Sequence, residues 1–106
     1  MLIDTCQIRA DQVAKFHNTI RVFGWFHHPT EALAGIGVEA PGLLGVTSAV
    51  GLAHGGVATL GPNKGFSVQF LLTTDQFPPG ATLEFTTTSG RSCRAGLAEL
   101  AAEALA

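Results

Sequence analysis

Apolar residues recur at every second position through much of this chain, in short runs parted by glycine and proline. The densest run is Thr19–His28, T-I-R-V-F-G-W-F-H-H, which stops at Pro29. Strand side chains alternate between faces, so Ile20, Val22 and Phe26 fall on one side and Phe23 and Trp25 on the other. A strand apolar on both faces reads as central in a packed sheet, with cover above and below. The clearest amphipathic strand is Phe66–Leu72, where Phe66, Val68, Phe70 and Leu72 oppose Ser67 and Gln69. Thr82–Thr88 places Leu83 and Phe85 inward and Thr82, Glu84 and Thr86 outward. Ile36 and Val38 alternate with Gly37 and Glu39 until Pro41-Gly42 ends the strand.

Other stretches are less regular. Leu2–Arg9 reads as a first strand, but Ile3 and Ile8 are out of register, which points to a bulge or an irregular edge. Asp11–Phe16 is polar and reads as a turn or loop. Leu43–Leu60 is apolar yet rich in glycine, and reads as one or two strands with a flexible turn around His54-Gly55-Gly56. Gly61–Gly65 is a turn, and Pro78-Pro79-Gly80 fits a type II turn, Pro79 fixing φ and Gly80 supplying a positive φ. Ser89-Gly90 is a two-residue hairpin candidate with Arg91–Ala95 as its return strand. Turn signals at roughly ten-residue intervals predict a mainly β fold, a two-sheet antiparallel sandwich of about seven strands. Its predicted core is Ile20, Val22, Trp25, Ile36, Val38, Phe66, Val68, Phe70, Leu83 and Phe85.

From Leu97 the period lengthens. Leu97, Leu100, Ala101, Ala104 and Leu105 recur at helical spacing, with Glu99 and Glu103 on the other side. The organisation is therefore a sandwich over 1–96 and a short C-terminal helix over 97–106. No glycine, proline or basic residue stops that helix. Its stripe must pack either on the sandwich or on a following domain. The missing stop favours the second, with 97–106 opening a linker in a longer protein.

At 106 residues the chain makes one domain. Apolar residues form 46% and charged residues 13%, against a usual charged share of roughly 25%. Such a low-charge surface suits a module that sits against something else. Net charge is −2, and Arg9, Lys15, Arg21, Lys64, Arg91 and Arg94 are scattered singly. Nucleic-acid binding needs clustered cations, so it is not an expected partner. No run approaches the ~20 apolar residues of a membrane helix, and Met1–Asp4 shows no basic region leading into an apolar stretch. A cytoplasmic protein without membrane contact is expected.

Candidate chemistry is sparse. His27 and His28 close a strand beside Pro29, with Glu31 close behind, but adjacent strand residues face opposite ways and cannot easily share one ion. No H-E-x-x-H or C-x-x-C occurs, so no metal site or cofactor is expected and both histidines read as solvated loop residues. Cys93, between Ser92 and Arg94, points toward the core and reads as a buried, inert thiol. A Cys6–Cys93 bond would join the first and last strands, and whether the two pair stays open. Gly35-Ile36-Gly37 lacks the dinucleotide-binding spacing and Gly61–Gly65 lacks the phosphate-loop ending. No catalytic residue is nominated. Trp25 is a candidate sugar platform, although a lone tryptophan in such a strand is normally a core anchor. The candidate ligand residues are thus Trp25, His27 and His28.

In order, V-F-G-W (Val22–Trp25), I-G-V-E (Ile36–Glu39), G-F-S-V-Q-F (Gly65–Phe70), F-P-P-G-A-T-L-E-F (Phe77–Phe85) and T-S-G-R (Thr88–Arg91) form a series. It resembles the small immunoglobulin-like modules attached to bacterial glycosyltransferases and methyltransferases. The resemblance spans Ile20–Arg91 and carries no catalytic residue. It implies an accessory, non-catalytic role beside an adjacent domain or protein partner. The alternative is a carbohydrate-binding module using Trp25 and the His27-His28 loop.

Overall fold

The computed structural model describes residues 2–3 and 6–105. The chain runs β1 (Leu2–Ile3), β2 (Cys6–Phe16), β3 (Thr19–His27), β4 (Leu33–Glu39) and β5 (Leu43–Leu52). A 3-10 turn (Gly55–Leu60) follows, then β6 (Gly65–Leu72), β7 (Thr82–Thr87), β8 (Ser92–Gly96) and helix α1 (Leu97–Ala104). The strands form two antiparallel sheets, a larger one ordered β1-β2-β3-β6-β5 and a smaller one ordered β4-β7-β8. Their inner faces share one core: Ile20, Val22, Phe26, Phe66, Val68 and Phe70 from the larger sheet meet Ile36, Leu83 and Phe85 from the smaller. The Phe85 ring lies 5.9 Å from that of Phe26 and 5.1 Å, edge-on, from that of Phe66. A mainly β sandwich with a C-terminal helix is therefore the fold.

β3 is central, paired to β2 on one side and β6 on the other. Its two faces fare differently. Ile20, Val22 and Phe26 enter the core, whereas Phe23 and Trp25 stay partly exposed on the outer face. Trp25 is thus not a core residue. Alternation forbids Trp25 and Phe26 from pointing the same way, and a two-layer sandwich has nothing to lay over its outer surface. Val38, also placed in the core, is only partly buried but packs against it.

Asp11–Phe16 is strand rather than loop. The pairing of β2 with β3 slips between Ala10 and Gln12, then continues in register to Phe16 opposite Thr19. A bulge inserts one residue and shifts the alternation by one: Cys6, Ile8 and Ala10 point inward before it, and Val13 packs against the core after it. The inward positions change parity, so the stretch loses the look of a strand. Gly24 fits this close pairing, since a Cβ there would stand 1.9 Å from the Arg9 carbonyl oxygen. His17-Asn18 makes the turn, with His17 at φ 55°. Ile3 and Ile8 are out of register because they belong to different strands.

The last hairpin closes over four residues, 88–91, not two. The Thr87 N–H donates to the Arg91 carbonyl (2.8 Å) and the Gly90 N–H to the Thr87 carbonyl (2.9 Å), with Gly90 at φ 91°. Gly80 has the expected positive φ, 74°. The obscure stretch after Leu43 resolves into β5 and the 3-10 turn.

Helix α1 lies against β2, and its first N–H, from Leu97, donates to the Ala81 carbonyl at 2.8 Å. Leu97 and Leu100 are fully buried in the sandwich core, while Leu105 is 90% exposed. The helical stripe is split: two leucines belong to this domain and one faces solvent. Cys6 and Cys93 are both buried and bonded to each other, so Cys93 is not a free thiol. No helix among the described residues is long and apolar enough to cross a membrane.

Candidate functional site

The outer face of the larger sheet gathers the polar and aromatic residues that the core rejects. Trp25 stands between Arg9 on β2 and Gly65 on β6, its cross-strand partners. Gly65 offers no side chain beside the indole. A Cβ at Gly65 would meet the Leu52 carbonyl oxygen at 2.9 Å, so the close approach of β5 keeps that position a glycine. Two residues before Trp25 on the same face, Phe23 stacks on His54, ring centroids 6.1 Å apart. His54 Nδ1 accepts the Gly56 N–H at 3.2 Å, which leaves Nε2 to donate to Asp11 Oδ2 at 2.5 Å. Asp11 is the residue the β2 bulge turns outward. The loop after β5 is in this way fastened to the face.

His27 shares this face with Trp25, two residues on, and is partly buried. Burial, then the Lys64 ammonium, then His28 hold its pKa below the ordinary imidazole value. Its Nδ1 is buried without a hydrogen-bond partner. His28 points the opposite way, as alternation requires. It is buried, with Nδ1 accepting the Thr30 N–H at 3.2 Å, and not a solvated loop residue. Of the three candidates, the fold brings Trp25 and His27 together and removes His28 to the loop end of the core.

Three loops meet at that end. The Phe26 N–H donates to the Lys64 carbonyl at 2.9 Å, tying β3 to the turn before β6. Glu31, in the loop after β3, accepts hydrogen bonds from the hydroxyls of Thr87 and Ser89, and Arg91 Nε lies 3.4 Å from its other oxygen. The two hydroxyls, Ser89 foremost, with Arg91 adding to them, hold the Glu31 carboxyl down at about 2. A cleft of about 270 Å³ opens between these loops, lined by Phe26, Glu31, Leu33, Asn63 and Lys64 among others. A shallower hollow of about 420 Å³ lies alongside, between His54-Gly55 and Gly61–Asn63. Pro62 and Asn63 form a wall of both.

Trp25 presents a partly exposed ring on this face, with Arg9 opposite it on β2 and His27 two residues along β3. Sequence reasoning missed the Phe23–His54–Asp11 chain, because it depends on a bulge and on a loop returning from β5. Among the described residues no group of three or more histidines, cysteines, aspartates or glutamates is placed to hold a metal ion. Comparison with protein-family models, with curated proteins and with solved structures finds no match.

Proposed function

We propose that this chain is a non-catalytic accessory module that holds a partner through the outer face of its larger sheet. The observation that carries the reading is Trp25: the lone tryptophan stands partly exposed on that face, where a large amphipathic ring makes an efficient contact residue. The strand order supports the immunoglobulin-like reading. β2-β3-β6-β5 opposite β4-β7-β8 is the arrangement of a seven-stranded constant-type immunoglobulin sandwich. Membership of a larger bacterial glycosyl- or methyltransferase rests on the sequence resemblance over Ile20–Arg91. The Cys6–Cys93 bond favours an oxidising compartment over the cytoplasm, where thiol pools keep cysteines reduced.

A second reading is favoured by the same face: carbohydrate binding, with a sugar ring stacked on Trp25 and its hydroxyls meeting Arg9, His27 and Lys64. A glycan array with the native chain and Trp25→Ala separates the two. Trp25-dependent signal on a glycan class establishes the carbohydrate reading. A blank array, together with a cross-link to a protein from a photoreactive residue at position 25 but not from one at the distant Phe16, supports a protein partner. Equal cross-linking from both positions overturns the assignment of this face.

A further inference from the structure

The two flanks of the sandwich are protected unequally. On one flank β2 is paired by β1 and lies against α1, and the outermost strand of the smaller sheet, β8, carries Arg94. On the other, the outermost strands are β5 and β4, each hydrogen-bonded on one side only. Between Glu31 and Lys64 the sequence contains a single residue of the Asp, Glu, Lys and Arg set, Glu39. Glu39 sits at the end of β4, paired to Arg94 at 2.8 Å. β5 itself, L-L-G-V-T-S-A-V-G-L, has no charge and no proline. Natural edge strands are usually blunted by such residues or by bulges, because an open row of N–H and C=O groups templates another strand. Pairing of β5 with β6 slips near both ends, at Leu43/Gly45 and Val50/Leu52. Gly45–Val50 is left as a regular, open and uncharged stretch, with Val46 at 39% exposure and Thr47, Ser48 and Ala49 exposed.

We propose that β5 pairs antiparallel with β5 of a second copy of this chain, joining two larger sheets into one across a two-fold axis. The charge pattern selects the occupant. Close to such an axis an edge residue meets its own kind or a near neighbour, so a charge there repels its copy. Among the long strands of the larger sheet only β5 and β6 have none, and β6 is already paired on both sides: β2 carries Arg9, Asp11 and Lys15, and β3 carries Arg21. A two-fold axis perpendicular to the sheet keeps inner faces inward in both copies. Val46, incompletely covered by the smaller sheet, then gains a β-branched or small cross-strand neighbour from the second copy.

The test is the oligomeric state of the native chain and of Thr47→Lys and Thr47→Glu, measured by sedimentation equilibrium up to roughly millimolar protein. Thr47 is exposed on the outer face, so both variants keep the native circular dichroism; Ser48→Lys and Ser48→Glu serve where they do not. The native chain is expected to dimerise. Each charged variant is expected to lose at least tenfold in association, and the lysine and glutamate variants mixed are expected to regain it as a mixed pair. A native chain that stays monomeric overturns the proposal, including the case in which a different protein occupies the edge. So does a dimer that the charges leave intact, since another surface then holds it.

Discussion

Cys6 on β2 and Cys93 on β8, 87 residues apart in sequence, stand 6.8 Å apart at Cα and are bonded across the two sheets. The bond ties the larger sheet to the smaller near both ends of the described chain. A cross-link enclosing so long a loop removes much of the freedom of the unfolded chain, worth about 4.6 kcal/mol on the chain-entropy account. Reduction, or the double change Cys6→Ser and Cys93→Ser, is expected to lower unfolding free energy by about that amount. Guanidinium unfolding with and without reductant reads it directly. Curves that superimpose would mean that the bond does not form.

Neighbouring residues on β3 should respond in opposite ways. Phe26→Ala empties a buried site packed on Phe85 and is expected to cost about 3–5 kcal/mol. Trp25→Ala removes a partly exposed ring and is expected to cost about 1 kcal/mol. Urea denaturation of the two variants checks the pair. A loss at Trp25 as large as that at Phe26 would place the indole in the core and remove the ground for a binding face.

The helix offers a similar contrast. Leu100 is fully buried, so Leu100→Ser is expected to destabilise the whole sandwich by about 3 kcal/mol, in a single transition. Leu105 is 90% exposed, and Leu105→Ser is expected to change stability by less than about 0.5 kcal/mol. Thermal unfolding followed in both the helical and the strand signal decides whether the helix melts with the sheets.

Acid should loosen the loop end through Glu31. Its folded pKa, about 2, lies below its ordinary value of 4.5, so the folded state favours the carboxylate. The contribution to stability is complete above the ordinary value and is lost as pH falls toward about 2. Glu31→Gln is expected to weaken the native protein at neutral pH yet flatten the loss of stability between about pH 4.5 and 2. Denaturation at a series of pH values gives both profiles. Parallel curves would show that the tie to Ser89 and Thr87 does not form in solution.

What the sequence determined by itself is what local alternation and turn chemistry can encode. Phe66–Leu72 and Thr82–Thr87 read correctly because each covers one wall of the core with alternate apolar residues and leaves a mostly polar other side. Gly80 and Pro41-Gly42 read correctly because a positive φ or a proline acts on its own neighbours alone. The central position of β3 followed from its apolar residues. Their pattern could not say which of its two faces would be covered. That needed the second sheet, which lies over Ile20, Val22 and Phe26 and leaves Trp25 outside. The bulge at Asp11 hid half of β2, since one inserted residue reverses the alternation that marks a strand, and only pairing with β3 and the close approach at Gly24 reveal it. The Cys6–Cys93 bond, the tie from Glu31 to Thr87 and Ser89, and the stack of Phe23 on His54 join residues 87, 56, 58 and 31 positions apart. Separations of that size are set by sheet topology, because no local preference of the backbone reaches so far along the chain.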